Sequence, residues 1–434
     1  IFMKKLWMIS AVTSALLMAQ NTQTESLEAQ LESQKITHEK GVADLLQISL
    51  ILDGYYNYIN FDDEGETEHL EIPGLVHGGG HDHAGHSHTS LAGEEGANFN
   101  YAELSIGASV DSYFDMLGVF HMTENDFEVE EAYVTTRSLP YHLRARVGKF
   151  KSDFGYLNNK HHHNYNFSDM PLIYNALLGD HGLTETGAQL QYVLPVPHYV
   201  MIGVEALKGE NEQSYGTEGF VPHEADHETF EGVEDVDQPN LLVGYLKTSL
   251  DIGGGTLLAG ASIAYGDSRI DHLEDEEGPH AFEGETTIYG ADLTYKYYFS
   301  SDRAVTWQSE YLYREMDGTK YVPNDDEDDW ENQADMLKEQ GGYYTELIYQ
   351  HDKNWRMGAR YSAIIQNEIN SAAKPDDMYV TTAMLEYNPS EFSRIRLQYN
   401  YNSALYTDEG EKNNKEEIVL QFNYAIGAHG AHAF

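Results

Sequence analysis

Beyond residue 45 the chain alternates apolar and polar side chains with a period of two. In 355–365 the odd positions are Trp355, Met357, Ala359, Tyr361, Ala363 and Ile365, and the even ones include Arg356, Gly358, Arg360 and Ser362. In 394–402, Ile395, Leu397, Tyr399 and Tyr401 alternate with Arg394, Arg396, Gln398, Asn400 and Asn402. Val305, Trp307, Tyr311 and Tyr313 likewise oppose Thr306, Gln308, Glu310 and Arg314. Successive side chains of a strand point to opposite faces, so each segment predicts a strand with one apolar, aromatic face and one charged face. A water-soluble antiparallel sandwich alternates too. So does a transmembrane barrel strand, with its apolar face outward.

Connection lengths separate the two. The pattern predicts about sixteen strands from 46–59 to 416–434, with fourteen to eighteen as the range, among them 126–138, 255–266, 286–299, 303–316 and 341–351. Connections after odd strands are long (60–99, 152–184, 209–238, 267–285, 317–340, 367–376 and 403–415, with 124–125 a short exception), and those after even strands run to one to three residues. Long loops at one end and tight turns at the other are how outer-membrane barrels are built. The predicted fold is therefore all-β, a transmembrane antiparallel barrel over 46–434. In the last strand Ile418, Leu420, Phe422, Tyr424 and Ile426 alternate with polar residues, and the chain stops in phase at Phe434. A final strand ending in Phe resembles the signal read by the barrel-assembly machinery.

The N-terminus fits export. From Met3 the chain reads MKKLWMISAVTSALLMAQ, a basic start, an apolar stretch and a small residue at Ala19. Residues 3–19 are expected to be a cleaved signal peptide, and 20–45 a short, polar, helical periplasmic segment. No other stretch approaches the ~18 apolar residues of a membrane helix.

Composition narrows the function. With 72 acidic and 26 basic residues among 434 the net charge is −46, which argues against nucleic acid as a partner and for attraction of cations. The chain has no cysteine, which excludes disulfides, cysteine-ligated zinc and thiol catalysis. No GxSxG, P-loop or HExxH motif is present, and an enzyme is not expected. The expected partners are outer-membrane lipid and lipopolysaccharide, with a homotrimer as the expected assembly.

Two histidine clusters stand out. His77, His81, His83, His86 and His88 fall within twelve residues of the Gly-rich loop 60–99, and such tracts commonly bind metal. Three or four imidazoles would satisfy Zn²⁺, and Cu²⁺ or Ni²⁺ would also accept them. The second cluster, His161, His162 and His163, sits in loop 152–184. Adjacent residues cannot all face one ion, so two of the three are the expected maximum. This loop also carries Phe167, Met170, Pro171, Leu172, Ile173, Tyr174, Leu177 and Leu178. Exposing such a set to water is costly, so the loop is expected to fold into the barrel. Arg144, Arg146, Arg356, Arg360, Arg394 and Arg396 share the even, inward phase and are expected to line the pore. They either face the loop as a basic ladder or pair with Glu310, Asp292 and Glu386. The acidic and His-bearing groups at 223–228, 271–277 and 325–329 read as solvated loop tips that gather cations at the mouth.

At EEAYV (130–134), at 147–179, at IGAHGAHAF (426–434) and at LEIPG (70–74), the sequence resembles proteobacterial zinc-regulated outer-membrane receptors, often labelled TonB-dependent. The resemblance implies a barrel used for zinc uptake, with Zn²⁺ as ligand or substrate and no resident cofactor. TonB as a partner fits poorly, because only about 26 residues separate the leader from the first strand, too few for a plug domain. Two other functions fit the same residues: a general or anion-preferring diffusion porin, and a surface metal reservoir or adhesin.

Overall fold

The computed structural model describes residues 46–427 apart from 64–66, 68–69, 76–94, 212, 221–231, 273–279, 323–331 and 408. The segments predicted at 3–19 and 20–45, the C-terminal Phe434 and the five histidines of the first cluster lie outside the described residues.

The strands are β1 (Leu46–Phe61), β2 (Gly96–Ser109), β3 (Phe114–Met122), β4 (Phe127–Thr136), β5 (Leu143–Lys151), β6 (Thr184–Val193), β7 (Tyr199–Leu207) and β8 (Leu241–Ile252). They continue as β9 (Gly255–His272), β10 (His280–Tyr298), β11 (Ala304–Val322), β12 (Asn332–Gln350), β13 (Trp355–Ile369), β14 (Met378–Ser390), β15 (Ser393–Asn402) and β16 (Lys415–Gly427). A two-residue pairing, Ala372–Ala373, is appended to the end of β13. Each strand pairs antiparallel with its sequence neighbours. β1 also pairs with β16, from Ser49 opposite Gly427 to Phe61 opposite Lys415, which closes a sixteen-stranded barrel. Closure removes every free sheet edge.

The alternation sorts side chains as expected. Leu52, Trp307, Tyr311, Leu347, Met357, Leu397 and Tyr399 are exposed on the outer face. Arg360, Arg396, Glu386, Gln398 and Asn400, in the opposite phase, are buried inside. At the short-turn end Tyr113, Tyr141, Tyr199, Tyr298, Phe299, Trp355 and Phe392 are all exposed. They form the kind of aromatic girdle that sits at a membrane–water boundary. Strands β9 to β12 are longer than their apolar alternation predicts, 18 or 19 residues each. Their ladders continue through polar sequence at the long-loop end, from Tyr297 opposite Gly255 up to His280 opposite His272. Backbone pairing needs no apolar face, so periodicity alone misses this extension.

The barrel's own loops enter its interior. The loop between β5 and β6 enters the lumen and carries a short helix α1 (Leu172–Leu178), buried at every position except Asn175. Ile173, Tyr174, Leu177 and Leu178 pack with Leu70, Ile72 and Leu75 of the first long loop and with Leu405 and Tyr406 of the last. No separate plug domain is present among the described residues.

Candidate functional site

The inward loop is held to the wall by polar anchors on nearly every side. At its start Ser152 donates to Glu205 at 2.5 Å, and Asn158 bridges the loop's two ends by donating to the carbonyls of Ser152 and Leu183. Midway, the backbone amides of Tyr156 and Leu157 donate to Glu310 on β11 at 2.8 and 3.0 Å. The Tyr174 hydroxyl reaches the same carboxylate at 2.8 Å, and Tyr344 donates to it as well. Gly155, at φ +63°, sits where a Cβ would run into Glu310 and Tyr174, so the turn needs glycine.

The arginines predicted to form a pore-lining ladder complete this clasp. Arg360 donates to the Asp169 carboxylate at 2.7 Å and to its carbonyl at 2.8 Å, and lies 4.7 Å over the Phe167 ring. Arg356 bridges Asn166 and Glu386 at 2.7 and 3.1 Å. Arg396, fully buried, donates to Glu386 at 2.8 Å and to the Tyr165 carbonyl at 3.0 Å, while Arg394 donates to the His163 carbonyl at 2.9 Å. Arg360 pairs with the loop's Asp169, Arg356 and Arg396 pair with Glu386 on the wall, and Arg394 reaches the loop only through a carbonyl. On the opposite wall Arg146 stacks over Tyr133 at 4.6 Å, and Arg144 is exposed. Of the three carboxylates expected to pair with these arginines, Glu386 does so; Glu310 is occupied by the loop's amides and tyrosines, and among the described residues Asp292 pairs with none of the six.

The histidine triplet lies where the loop meets β2, β3 and β4. A single 3-10 turn over His162–Asn164 sends alternate rings to opposite sides. His161 and His163 stack with ring centroids 5.6 Å apart, whereas His162 turns away to the Ser168 carbonyl at 2.9 Å and packs edge-on to Tyr101 and Tyr165. His161 and His163 meet Glu103 of β2, His121 of β3 and Glu130 of β4. His161 Nδ1 is 3.1 Å from Glu130 Oε2 and 3.8 Å from Glu103 Oε2. His163 Nδ1 is 3.0 Å from Glu103 Oε2. His121 Nε2 lies 3.5 and 3.4 Å from the same two oxygens, and its ring stacks on Tyr101 at 4.5 Å. Burial disfavours charge on all three loop imidazoles. His162 and His163 are lowered by it, but the Glu130 and Glu131 carboxylates override it at His161 and hold that ring protonated well above the usual imidazole range. Lys160, next in the chain and 3.6 Å over the Tyr156 ring, is pushed down to about 8 by burial.

A β-bulge makes this meeting possible. Val119 pairs with Glu131 and Phe120 with Val129, so Glu130 is the extra residue, and both Glu130 and Glu131 are buried inside. Glu103, His121, Glu130 and Glu131 were not singled out as site residues from the sequence. Their signal is a break of phase: Phe127 and Val129 are exposed at odd positions, then Ala132 and Val134 at even ones. A small recess of about 40 Å³ at the short-turn end is lined by Asn388, Glu391, Ser393, Arg394, Asn423 and His163.

Comparison with known proteins places the chain. An uncharacterized protein of Aquifex aeolicus (strain VF5) is 46% identical over 411 residues, covering 94% of this chain and 84% of that protein. The two belong to one family. No protein-family model matches the chain. Among solved structures, the outer membrane channel DcaP of Acinetobacter baumannii is similar with a TM-score of 0.51 at 15% identity, covering 90% of this chain and all of that one. The L8-loop deletion mutant of OmpT, an outer membrane protein of Vibrio cholerae, is similar with a TM-score of 0.50 at 14% identity, covering 87% and 99%. At such identities the likeness is one of fold, and it agrees with a closed porin-type barrel. None of the three names mentions zinc or TonB.

Proposed function

We propose that the chain is an outer-membrane channel for passive diffusion of small hydrophilic solutes, narrowed by the loop between β5 and β6. The observation that carries this reading is a closed barrel, apolar and aromatic outside, polar inside, with one long loop clasped across its lumen. An outer face bearing Leu52, Leu347 and Leu397 in place of charge suits lipid. The short turns then face the periplasm and the long loops the exterior. The fold shared with DcaP, a named channel, supports the same reading.

The interior favours cations over anions. Among the described residues, eleven buried carboxylates stand against five buried lysines and arginines. The anion-preferring alternative rests on the arginine ladder, and three of those six groups are ion-paired with Asp169 or Glu386. A more specific reading, uptake of zinc or a related divalent cation, is favoured by His161 and His163 meeting Glu103 and Glu130 in the lumen. The test is flux through liposomes carrying the purified barrel. Potassium and small neutral sugars are expected to equilibrate faster than through empty liposomes, with potassium ahead of chloride. Equal rates in loaded and empty liposomes would refute the channel.

A further inference from the structure

The carboxylates of the lumen cluster are arranged asymmetrically. Glu130 Oε1 accepts from the Lys151 ammonium at 2.9 Å, and Glu103 Oε1 accepts from the Ser105 hydroxyl at 3.2 Å. The remaining oxygen of each, Oε2, faces one shared centre with His121 Nε2 and His161 Nδ1. Glu103, His121 and Glu130 each place a donor atom within 4.8 Å of the others. His121 Nε2 is buried without a hydrogen-bond partner, at 3.4 and 3.5 Å from oxygens that a hydrogen bond would draw closer. Donors around a tetrahedral zinc ion with bonds of about 2.0–2.1 Å lie about 3.3 Å from one another. His121 Nε2 stands 3.4 and 3.5 Å from Glu130 Oε2 and Glu103 Oε2, close to that edge, and His161 Nδ1 lies 3.1 and 3.8 Å from the same two oxygens. The outer supports are also present. Glu131, held by the Lys151 amide at 2.9 Å, lies 2.9 Å from His161 Nε2, the carboxylate–imidazole arrangement that orients metal-bound histidines. Tyr101 stacks on His121, and His163 lines a small recess at the short-turn end.

We infer that Glu103, His121 and Glu130 form the core of a binding site for one divalent transition cation of the zinc type inside the barrel, with His161 and His163, each against one of its carboxylates, as the further nitrogen ligands. Nitrogen donors and short spacing suit zinc-type ions over calcium or magnesium, which prefer six or more oxygens. A cation that takes His161 displaces the proton from its Nδ1 while Nε2–H stays on Glu131; three carboxylates, Glu103, Glu130 and Glu131, then face one lysine, and the divalent charge balances the remainder. The ion is cargo at a stopping point, which rests on the channel reading for its route although its binding does not.

The test uses the full chain in detergent micelles. His77, His81, His83, His86 and His88 are first replaced by Ala, so that the outer loop adds no background. Zinc chloride titrated by calorimetry is expected to show one tight equivalent in this parent. His121→Ala and Glu130→Gln are expected to weaken it at least 100-fold, and Glu131→Gln about 10-fold. His162→Gln, whose ring faces away, should leave it unchanged, and magnesium chloride should not compete. Cobalt(II) at the site should show the intense visible bands of tetrahedral coordination. Heat-dependent gel mobility confirms that each barrel is folded, and Glu103→Gln serves if His121→Ala is not. Zinc affinity equal to the parent in these variants, or a six-coordinate cobalt spectrum, would overturn the site. Ion flux through the same preparations keeps the two readings apart: conduction without zinc binding refutes the site alone, and zinc binding in a sealed barrel refutes the channel alone.

Discussion

Glu310→Ala is expected to release the inward loop while leaving the barrel closed. Glu310 is buried on β11 and accepts from the Tyr156 and Leu157 amides and from the Tyr174 and Tyr344 hydroxyls. Alanine leaves two buried backbone N–H groups without an acceptor, at about 1–3 kcal/mol each. The docked loop therefore loses about 2–6 kcal/mol, which lowers the ratio of docked to undocked states by a factor of about 30 to 10⁴. The strand ladder of β11 is untouched, because backbone pairing with β10 and β12 does not involve this side chain. Single-channel recording in a planar bilayer should show larger and noisier current steps than the wild type. Limited proteolysis should cut within 156–180, where the docked loop is protected. Glu310→Gln keeps one acceptor oxygen and should fall between the two. A Glu310→Ala barrel with wild-type conductance and a protected loop would refute the claim that this carboxylate seats the constriction.

Three further outcomes follow from the same packing. Arg396→Ala leaves the buried Glu386 with Arg356 and the Asn388 amide alone on one oxygen and nothing on the other, and is expected to lower barrel stability in urea by about 3 kcal/mol. Leu397→Arg places a charge on the lipid-facing phase and should cost about 2–4 kcal/mol in bilayer folding if it sits near the midplane, whereas Gln398→Arg, one residue on, acts on the loop anchor Asp169 and alters conductance instead. Gly155→Ala forces a Cβ against Glu310 and Tyr174 at a left-handed φ, and should loosen the loop in the same proteolysis assay, by a smaller amount than Glu310→Ala.

The wall was legible in the sequence because a half-buried strand writes its two faces into alternate residues. All sixteen strands stand near their expected places, and the apolar character of Leu172 to Leu178 announced that its loop could not stay in water. What lay beyond the sequence was long-range. Nothing local says that Glu310 will hold amides 153 and 154 residues away, or that Arg360 will clasp Asp169 across 191 residues. The arginines were placed inside by their phase, but their partners depend on the path of the loop. Glu103 and His121 read as ordinary polar positions until the register sets them opposite each other. The bulge at Glu130 was visible only as a slip of phase between Val129 and Ala132, which length-based strand assignment passes over.

The most direct test of the central claim is single-channel recording of the wild-type barrel under a potassium chloride gradient. Discrete conductance steps are expected, small for a sixteen-stranded barrel because the loop narrows the lumen, with a reversal potential on the cation side that follows the excess of buried carboxylates. A folded barrel that passes no current, in the wild type and in Glu310→Ala alike, or one that reverses on the anion side, would contradict it.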